Sequence, residues 1–253
     1  MQPLFQKNAL AAPAPTRALA SRPSFRHTSR AMPSAPRNCP FCAVPPEPGP
    51  WPDMHGRPLR RCPACRLLYA DAADLPPPDR ERDRYLRHRN TPDDAGYVRF
   101  LRRLWTPLRP LLPAGAHLLD YGSGPAPVLA EIVRADGFPC AAYDPFFAPA
   151  PPPEASAPYE AILACEVVEH FHRPLESWRH IRSLLAPGGH LAVMTSLPPD
   201  APEAFSRWPY AGDFTHVAFY TRETLQRIAD LLHLALLPKI DASSAVHLFR
   251  ALP

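Results

Sequence analysis

Four cysteines stand in two pairs with the same spacing, Cys39-Pro-Phe-Cys42 and Cys62-Pro-Ala-Cys65. Zinc prefers four thiolates in a tetrahedron, and two C-x-x-C turns can each present two sulfurs to one ion. A site with four protein ligands is closed, so it stabilises a fold and performs no chemistry. The spacing therefore predicts a zinc ribbon. The alternatives are idle thiols or two disulfides, and a reducing compartment disfavours disulfides.

A second pattern places an acid and two glycines where a predicted strand meets a predicted helix, in LLDYGSGPAPVLAEIV at residues 118–133. Glycine permits a sharp turn and lets a ligand approach the backbone closely, and the first turn of a helix offers free N–H groups. A dinucleotide-binding G-x-G-x-x-G turn needs a third glycine, and this chain has Pro127 there. The pattern predicts a ligand site of another class.

Acids and histidines follow the later predicted strands, where a side chain could take a proton from a reacting nucleophile. The catalytic candidates are Glu169, His170 and His216. For His216 a structural hydrogen bond is the alternative role. The other titratable groups at these positions are Glu166, His172 and Asp213.

The segment LLDYGSGPAP resembles the first motif of class I S-adenosylmethionine-dependent methyltransferases. In that family the acid and the glycine turn hold the methionine part of the cofactor. The resemblance implies this role for Asp120, Gly122, Ser123 and Gly124.

Further landmarks of the same family follow in order, so the resemblance covers about residues 95–253. CAAYDPFF ends a strand with Asp144, where the family has an acid that binds the ribose hydroxyls. A carboxylate suits a vicinal diol because it accepts two hydrogen bonds. The later landmarks are YEAILACEVVEHF, LLAPGGHLAVMT and DFTHVAFYTRETL.

The letters Glu166-Val-Val-Glu169-His170 resemble the E-x-x-E-H pattern of ubiquinone-biosynthesis O-methyltransferases and small-RNA 2′-O-methyltransferases. In those families the two carboxylates and the imidazole bind a divalent ion that holds the acceptor oxygens. The resemblance implies a cation such as Mg²⁺ at Glu166, Glu169 and His170, with His216 as a candidate fourth ligand. We favour the other interpretation, in which Glu166 contacts the cofactor while Glu169 and His170 order a loop or cap the next helix.

Strand-like and helix-like segments alternate in the second half of the chain, which predicts an α/β fold with a doubly wound, mostly parallel sheet of the Rossmann-like methyltransferase type. Ligands of such sheets bind at the carboxyl ends of the strands. The predicted strands are His117–Tyr121, Cys140–Tyr143, Ala161–Cys165, Leu191–Thr195, Ala235–Ile240 and Val246–Arg250. The predicted helices are Pro127–Ala135, Leu175–Leu185 and Arg222–Leu232.

After Asp144 the segment PFFAPAPPPEASAPYE is too short and too rich in proline for the helix and strand that the family has there. We therefore predict that the region of the third strand is shortened.

The 253 residues divide into a disordered basic tail (1–36), a zinc ribbon (37–70), a linker (71–95) and a methyltransferase domain (96–253). Residues 1–46 contain no Asp or Glu, so the positive charge is concentrated there and the remainder is slightly acidic. This distribution argues against a basic nucleic-acid-binding core. No apolar run approaches the roughly 18 residues needed to span a bilayer, so we expect a cytoplasmic protein without a membrane partner.

The sequence thus predicts an S-adenosylmethionine-dependent methyltransferase that acts on an oxygen or nitrogen atom of a small molecule. One alternative is an enzyme that methylates RNA or protein, which the ribbon and the tail would grip. Another is a non-catalytic adaptor that keeps the fold as a scaffold. The intact Asp120, Gly122, Gly124 and Asp144 favour an enzyme over the adaptor.

Overall fold

A computed structural model describes residues 36–87, 90–148, 158–238 and 245–253. The predicted tail therefore lies outside the described residues except for Pro36. No helix in the described ranges is long and apolar enough to cross a membrane.

The described residues form ten strands and six α-helices. The strands are β1 (Trp51–Pro52), β2 (Pro58–Arg61), β3 (Leu68–Ala70), β4 (Leu118–Tyr121), β5 (Cys140–Tyr143), β6 (Tyr159–Cys165), β7 (Leu185–Met194), β8 (Ala218–Phe219), β9 (Leu234–Leu236) and β10 (Val246–Ala251). The helices are α1 (Pro78–Tyr85), α2 (Ala95–Leu108), α3 (Val128–Ala135), α4 (Pro174–Leu184), α5 (Pro202–Phe205) and α6 (Arg222–Leu231).

The larger sheet has six strands in the order β5-β4-β6-β7-β10-β9. The strands β5, β4, β6 and β7 are parallel, and β10 is antiparallel to both of its neighbours. The predicted mixed α/β fold with a mostly parallel sheet is confirmed. Because the chain leaves β4 first toward one edge and later toward the other, the strand order reverses beside β4, where ligands bind in such sheets.

Helices cover both faces of this sheet because its central strands are apolar on both sides. Leu119 and Ile162 pack on one face with residues of α4 and α6. Leu118 and Leu163 pack on the other face with residues of α2 and α3. The strands therefore appear in the sequence as continuous apolar runs.

The first and last helices of this sheet begin at polar caps, as their sequences require. The carboxylate of Asp94 accepts hydrogen bonds from the N–H groups of Gly96 and Tyr97 at the start of α2. Thr221 and Thr224 form a reciprocal capping box at the start of α6. Thr224 Oγ1 also donates to the carbonyl of Cys65 at 2.8 Å, which ties α6 to the ribbon.

The smaller sheet joins the ribbon to a distant part of the chain, in the order β1-β2-β3-β8. Strand β3 pairs antiparallel with β8, with Leu68 opposite Phe219 and Tyr69 opposite Ala218. Three of the four ribbon cysteines are packed in the same apolar cluster as the core under α4 and α6. The ribbon therefore shares a core with the larger sheet.

The segment 71–95, predicted as a linker, contains α1. Pro78 occupies the first turn, where its missing N–H costs nothing. Asp79 and Glu81 lie in the first turn and Arg82 and Arg84 in the last, an order that suits the helix dipole. The charged residues that suggest a solvated linker are thus ordered in a way that stabilises a helix.

The region predicted to lack a full third strand follows β5, which is an edge of the larger sheet among the described residues. Residues 144–148 form a turn closed by a bridge between Asp144 and Ala148. Residues 149–157, where a shortened third strand would lie, are outside the described ranges.

Candidate active site

The predicted ligand turn follows the carboxyl end of β4. Both of its glycines have left-handed backbone, with φ of 78° at Gly122 and 67° at Gly124. The N–H groups of Gly122 and Ser123 donate to the carbonyl of Tyr143 at 2.7 and 3.1 Å. The N–H of Gly124 donates to Asp144 Oδ2 at 2.9 Å. The turn after β4 is thereby fastened to the end of β5.

These two glycines have opposite surroundings. A Cβ at Gly122 would lie 2.6 Å from Cγ2 of Val167, so this glycine allows the turn to pack against the segment after β6. A Cβ at Gly124 would meet no atom within 4 Å. The space beside Gly124 is therefore open; we call this space the cradle, and a side chain at Gly124 would enter it.

Two of the three acids predicted to bind cofactor, Asp120 and Asp144, hold backbone. Asp120 is buried, and its Oδ2 accepts the N–H of Ala130 at 3.2 Å, which fixes β4 to the first turns of α3. Burial raises the pKa of Asp120 to about 7. Asp144 Oδ1 accepts the N–H groups of Phe146 and Phe147 at 2.8 and 3.2 Å.

Ser123 and Asp144 keep hydrogen-bonding capacity for a ligand. Asp144 Oδ2 accepts one N–H, that of Gly124, although a carboxylate oxygen has room for two donors. Ser123 Oγ is buried without a hydrogen-bond partner among the described residues. Both residues adjoin Gly124, Ser123 along the chain and Asp144 through its hydrogen bond.

Glu169, His170 and His216 form a second group at the same edge of the sheet, with one ligand atom of each within 4.8 Å of the others. Glu169 and His170 belong to a short 3₁₀ helix after β6, Val168–His170. His216 belongs to the loop before β8. The structure thus brings together all three predicted catalytic residues.

The two histidines use the same ring nitrogen, Nδ1, to contact backbone carbonyls. His170 Nδ1 lies 2.9 Å from the carbonyl of Thr215, and His216 Nδ1 lies 2.6 Å from the carbonyl of Tyr210. A carbonyl only accepts, so both Nδ1 atoms carry the proton and both Nε2 atoms carry a lone pair. Burial lowers the pKa of His170 to about 3 and that of His216 to about 4, so both rings are neutral.

Glu169 is fully buried, and a hydrogen bond is made by one of its two carboxylate oxygens. Its Oε1 accepts a 2.5 Å hydrogen bond from the hydroxyl of Tyr210, which also lies 3.2 Å from Thr195 Oγ1. Its Oε2 has no hydrogen-bond partner within the described ranges. Burial, followed by the nearby charge of Glu166, raises the pKa of Glu169 to about 8. A buried carboxylate with an unpartnered oxygen, close to two neutral imidazoles, is a donor set for a cation.

Glu166 differs from the expectation that it joins Glu169 and His170, because it lies outside this group of three. It follows β6 in the left-handed region, with φ of 54°, and its N–H donates to the carbonyl of Met194 at 2.9 Å. Its carboxylate still lies close by, because it hydrogen-bonds Tyr210 and its charge raises the pKa of Glu169. His216 completes the group instead.

Helix α1 lies over the candidate site, a role that sequence reasoning missed. The ring of Tyr85 packs edge-on against His170 at 5.2 Å between centroids and also contacts Phe146, beside Asp144, at 5.8 Å. His172 contacts Glu81 of the same helix at 3.3 Å and does not join the group. The order of charges in its sequence, acidic first and basic last, could have predicted helix α1. Through Tyr85, α1 contacts both the turn at Asp144 and the group at His170.

Asp213 fastens α1 to the loop of His216. Its Oδ2 accepts a 2.6 Å hydrogen bond from Arg84, and its Oδ1 accepts from the N–H and hydroxyl of Thr215 at 3.0 and 2.8 Å. Burial alone would raise the pKa of Asp213. The Thr215 hydrogen bonds, together with the charges of His216 and Arg84, outweigh burial and lower the pKa to about 2.

This lowered pKa predicts a dependence of stability on pH. The carboxylate stabilises the fold above its unfolded pKa of about 4, and the contribution is lost as the pH falls toward 2. We expect Asp213→Asn to lower the free energy of unfolding by about 2 kcal/mol at pH 6 and by about 1 kcal/mol at pH 3. Denaturant unfolding of both proteins at the two pH values measures the difference. A gap that stays the same at both values would contradict the prediction.

The four ribbon cysteines form the third candidate site. All four are free thiols, and their sulfurs lie within 4.8 Å of one another. The distances are 3.6 Å for Cys39 to Cys65, 3.4 Å for Cys42 to Cys62 and 3.7 Å for Cys42 to Cys65. Two sulfurs bound tetrahedrally to zinc stand about 3.8 Å apart, so the donor set fits that ion.

The two knuckles repeat one backbone arrangement. The N–H of Cys39 donates to the carbonyl of Val44, and the N–H of Cys62 donates to that of Leu67, each at 2.9 Å. The residue after each second cysteine, Ala43 or Arg66, is left-handed although neither is glycine. Such strain persists where surrounding structure enforces it, and the C-x-x-C letters gave no sign of it.

A family model described as a methyltransferase domain matches residues 85–237. No curated protein matches the chain. The chain is similar to a solved O-methyltransferase family protein from Burkholderia thailandensis, with 12% identity, a TM-score of 0.46 and coverage of 68% of this chain and 63% of that one. For LaPhzM the identity is 16%, the TM-score 0.46 and the coverage 70% and 59%.

A third similar structure is CalO1, a methyltransferase in calicheamicin biosynthesis, in its SAH-bound form. The identity is 13%, the TM-score is 0.44, and the match covers 62% of this chain and 55% of CalO1. The chain therefore spans between 55% and 63% of the length of these three proteins.

Proposed function

The chain belongs to the family of methyltransferase domains, and on this basis we propose that it transfers a methyl group from S-adenosylmethionine to an oxygen or nitrogen atom of a small molecule. The observation that carries the proposal is the open cradle beside Gly124, at the carboxyl end of β4. A ligand can lie against the backbone there. The candidate polar contacts are the carboxylate of Asp144, which accepts the N–H of Gly124, and the unpartnered hydroxyl of the neighbouring Ser123.

S-adenosylmethionine, when bound, supplies a methyl group that its sulfonium already activates. The residues of this chain then need to hold the acceptor in line with that methyl group and to exclude water. Helix α1 fits the second role, because Tyr85 packs against both Phe146 and His170. A protonated acceptor must also lose its proton, which the group at Glu169, His170 and His216 can assist.

Glu169, His170 and His216 fit a divalent cation as a set of donors. Both Nδ1 protons are committed to backbone carbonyls, so Glu169 Oε2 and two Nε2 atoms remain as ligands. Two imidazoles with one carboxylate suit Mn²⁺, Fe²⁺, Co²⁺ or Zn²⁺ better than Mg²⁺, which prefers oxygen. A cation held there would orient acceptor oxygens and lower the pKa of an acceptor hydroxyl.

We also assign a structural zinc ion to the four cysteines, because their sulfur separations match a tetrahedral site. With four protein ligands such an ion leaves no open position for substrate. Its contribution is to the fold of the ribbon. Elemental analysis of the purified protein is expected to show about one zinc per chain in the absence of added metal.

Thermal unfolding with S-adenosylhomocysteine tests the cofactor assignment, with NAD as the control nucleotide. Ligand at about 100 times its dissociation constant adds roughly 2.7 kcal/mol to the free energy of unfolding. We expect an increase in Tm with S-adenosylhomocysteine alone. An unchanged Tm with both ligands would contradict the proposal and would favour the non-catalytic adaptor.

A further inference from the structure

Arg57 lies in the hairpin between β1 and β2, within the ribbon, yet its guanidinium ends in the loop that carries His216. Its Nη1 donates to the carbonyl of Phe214 at 2.8 Å, and its Nη2 donates to the carbonyl of His216 at 2.8 Å. Longer contacts of 3.4 and 3.5 Å join Nη2 to the carbonyls of Ala211 and Asp213. One side chain thus contacts four carbonyls of a single loop.

The guanidinium is itself held in place by Asp53, which is 4% exposed. Asp53 Oδ2 accepts from Arg57 Nε at 2.9 Å. Asp53 Oδ1 accepts the N–H groups of His55 and Arg57 at 2.8 and 2.9 Å. The carboxylate therefore fixes both the hairpin backbone and the direction of the arginine. A guanidinium group is planar, and this one is already held by Asp53, so it loses little further conformational entropy when it binds carbonyls.

The hairpin and the loop lie side by side at Met54 and Gly212. Gly212 lies in the loop, and a Cβ there would collide with Met54 of the hairpin. The loop also contacts the core of the site, because the N–H of Val217 donates to the carbonyl of Glu169 at 2.8 Å. A shift of the loop would therefore move His216 relative to Glu169 and His170.

We propose that Arg57 is a positioning residue through which the zinc ribbon holds His216 in the group with Glu169 and His170. The hairpin lies between the two cysteine knuckles, and β2 leads directly into Cys62. The ribbon is then part of the active-site scaffold. The role of this group as a cation site rests on the proposed function, whereas the contact of Arg57 with the loop does not.

The test compares Arg57→Met with Arg60→Met. Arg60 is an equally suitable ribbon arginine, because it pairs with Asp71 at 2.8 Å and has no contact with the loop among the described residues. Hydrogen exchange of the N–H groups of His216 and Val217 reports on the loop, since these donate to Asp213 and Glu169. Electron paramagnetic resonance titration with Mn²⁺ reports on the group, because Mn²⁺ favours oxygen and nitrogen over thiolates.

We expect Arg57→Met to exchange these two amides at least about tenfold faster while the amides of Cys62 and Arg66 keep their rates. The affinity for Mn²⁺ should fall by about 10- to 100-fold with unchanged zinc content. Arg60→Met should match the wild type in every readout. Unchanged exchange at His216 and Val217 in Arg57→Met would overturn the proposal.

A second variant covers the case in which Arg57→Met loses zinc or unfolds. Arg57→Lys keeps the charge and the buried stem but cannot reach several carbonyls at once. The same exchange experiment then decides, with faster exchange at His216 and Val217 supporting the proposal and wild-type rates overturning it. If the wild type binds no Mn²⁺, the cation assignment is wrong, and the exchange rates alone decide the role of Arg57.

Discussion

Gly124→Arg is expected to abolish binding of S-adenosylhomocysteine while the protein stays folded and keeps its zinc. A Cβ at this position meets no protein atom within 4 Å, so the arginine would occupy the cradle rather than displace the core. The left-handed backbone, with φ of 67°, costs a non-glycine residue about 1–2 kcal/mol. We expect a small decrease in Tm and a loss of affinity of more than about 100-fold, the scale of more than about 3 kcal/mol of binding free energy.

Gly122→Ala gives the opposite result although it lies only two residues away. Its Cβ would lie 2.6 Å from Val167, so the packed segment after β6 must move. Overpacking together with the left-handed backbone should lower the free energy of unfolding by about 2–5 kcal/mol. The two variants would show that Gly122 serves packing and that Gly124 serves ligand binding. The sequence motif alone does not distinguish these two roles.

Gly137→Arg is the matched control for Gly124→Arg. Gly137 is also left-handed and open, but it lies in the turn before β5, at the opposite end of the strands. Isothermal titration with S-adenosylhomocysteine should give wild-type affinity for this variant. If Gly124→Arg also binds with wild-type affinity, the cofactor site has been placed wrongly.

Glu169→Gln is expected to lower the affinity for Mn²⁺ by at least about 100-fold and to leave the affinity for S-adenosylhomocysteine unchanged. Glutamine keeps the shape of the buried side chain, and its carbonyl can still accept from Tyr210. Its amide nitrogen then replaces the unpartnered Oε2, and an amide NH₂ offers no lone pair to a cation. Transfer to an acceptor that depends on the cation should fall by a similar factor.

Glu176→Gln provides the control, because Glu176 is exposed on α4 and pairs there with Arg173. Titration with Mn²⁺ and a methyl-transfer assay with and without metal measure both variants. If Glu169→Gln binds Mn²⁺ with wild-type affinity, the assignment of a cation to this group is wrong. The buried carboxylate would then be left with the role of holding Tyr210.

The strands of the sheet and the helices that cover it were predictable because their buried positions are apolar residues, which form a regular pattern in the sequence. Cys140–Tyr143 has the predicted bounds, and the other predicted strands and helices overlap the observed ones where the structure describes them. A strand covered on both faces must be apolar throughout, and a covering helix must have one apolar face. The strand ends then indicate where Asp120, Gly122 and Asp144 lie.

The composition of the site was less accessible from the sequence. Glu166 and Glu169 look equivalent in the motif, but only Glu169 lies in the group with His170 and His216, although both acids contact Tyr210. Arg57 contacts a loop more than 150 positions away, and such a contact leaves no periodic signal. Helix α1 was missed because its charges resemble those of a solvated linker.

The pairing of β3 with β8 has a consequence for how the chain folds during synthesis. Residues 68–70 leave the ribosome about 150 positions before their partners at 218–219, a delay of roughly 7 to 30 seconds at ordinary translation rates. During that interval one side of β3 is an unpaired edge, which invites association with other nascent chains. The cysteine knuckles are complete by Cys65, so metal capture can order the amino-terminal hairpins before the last strand arrives. A chain that stops before residue 218 would keep this edge exposed.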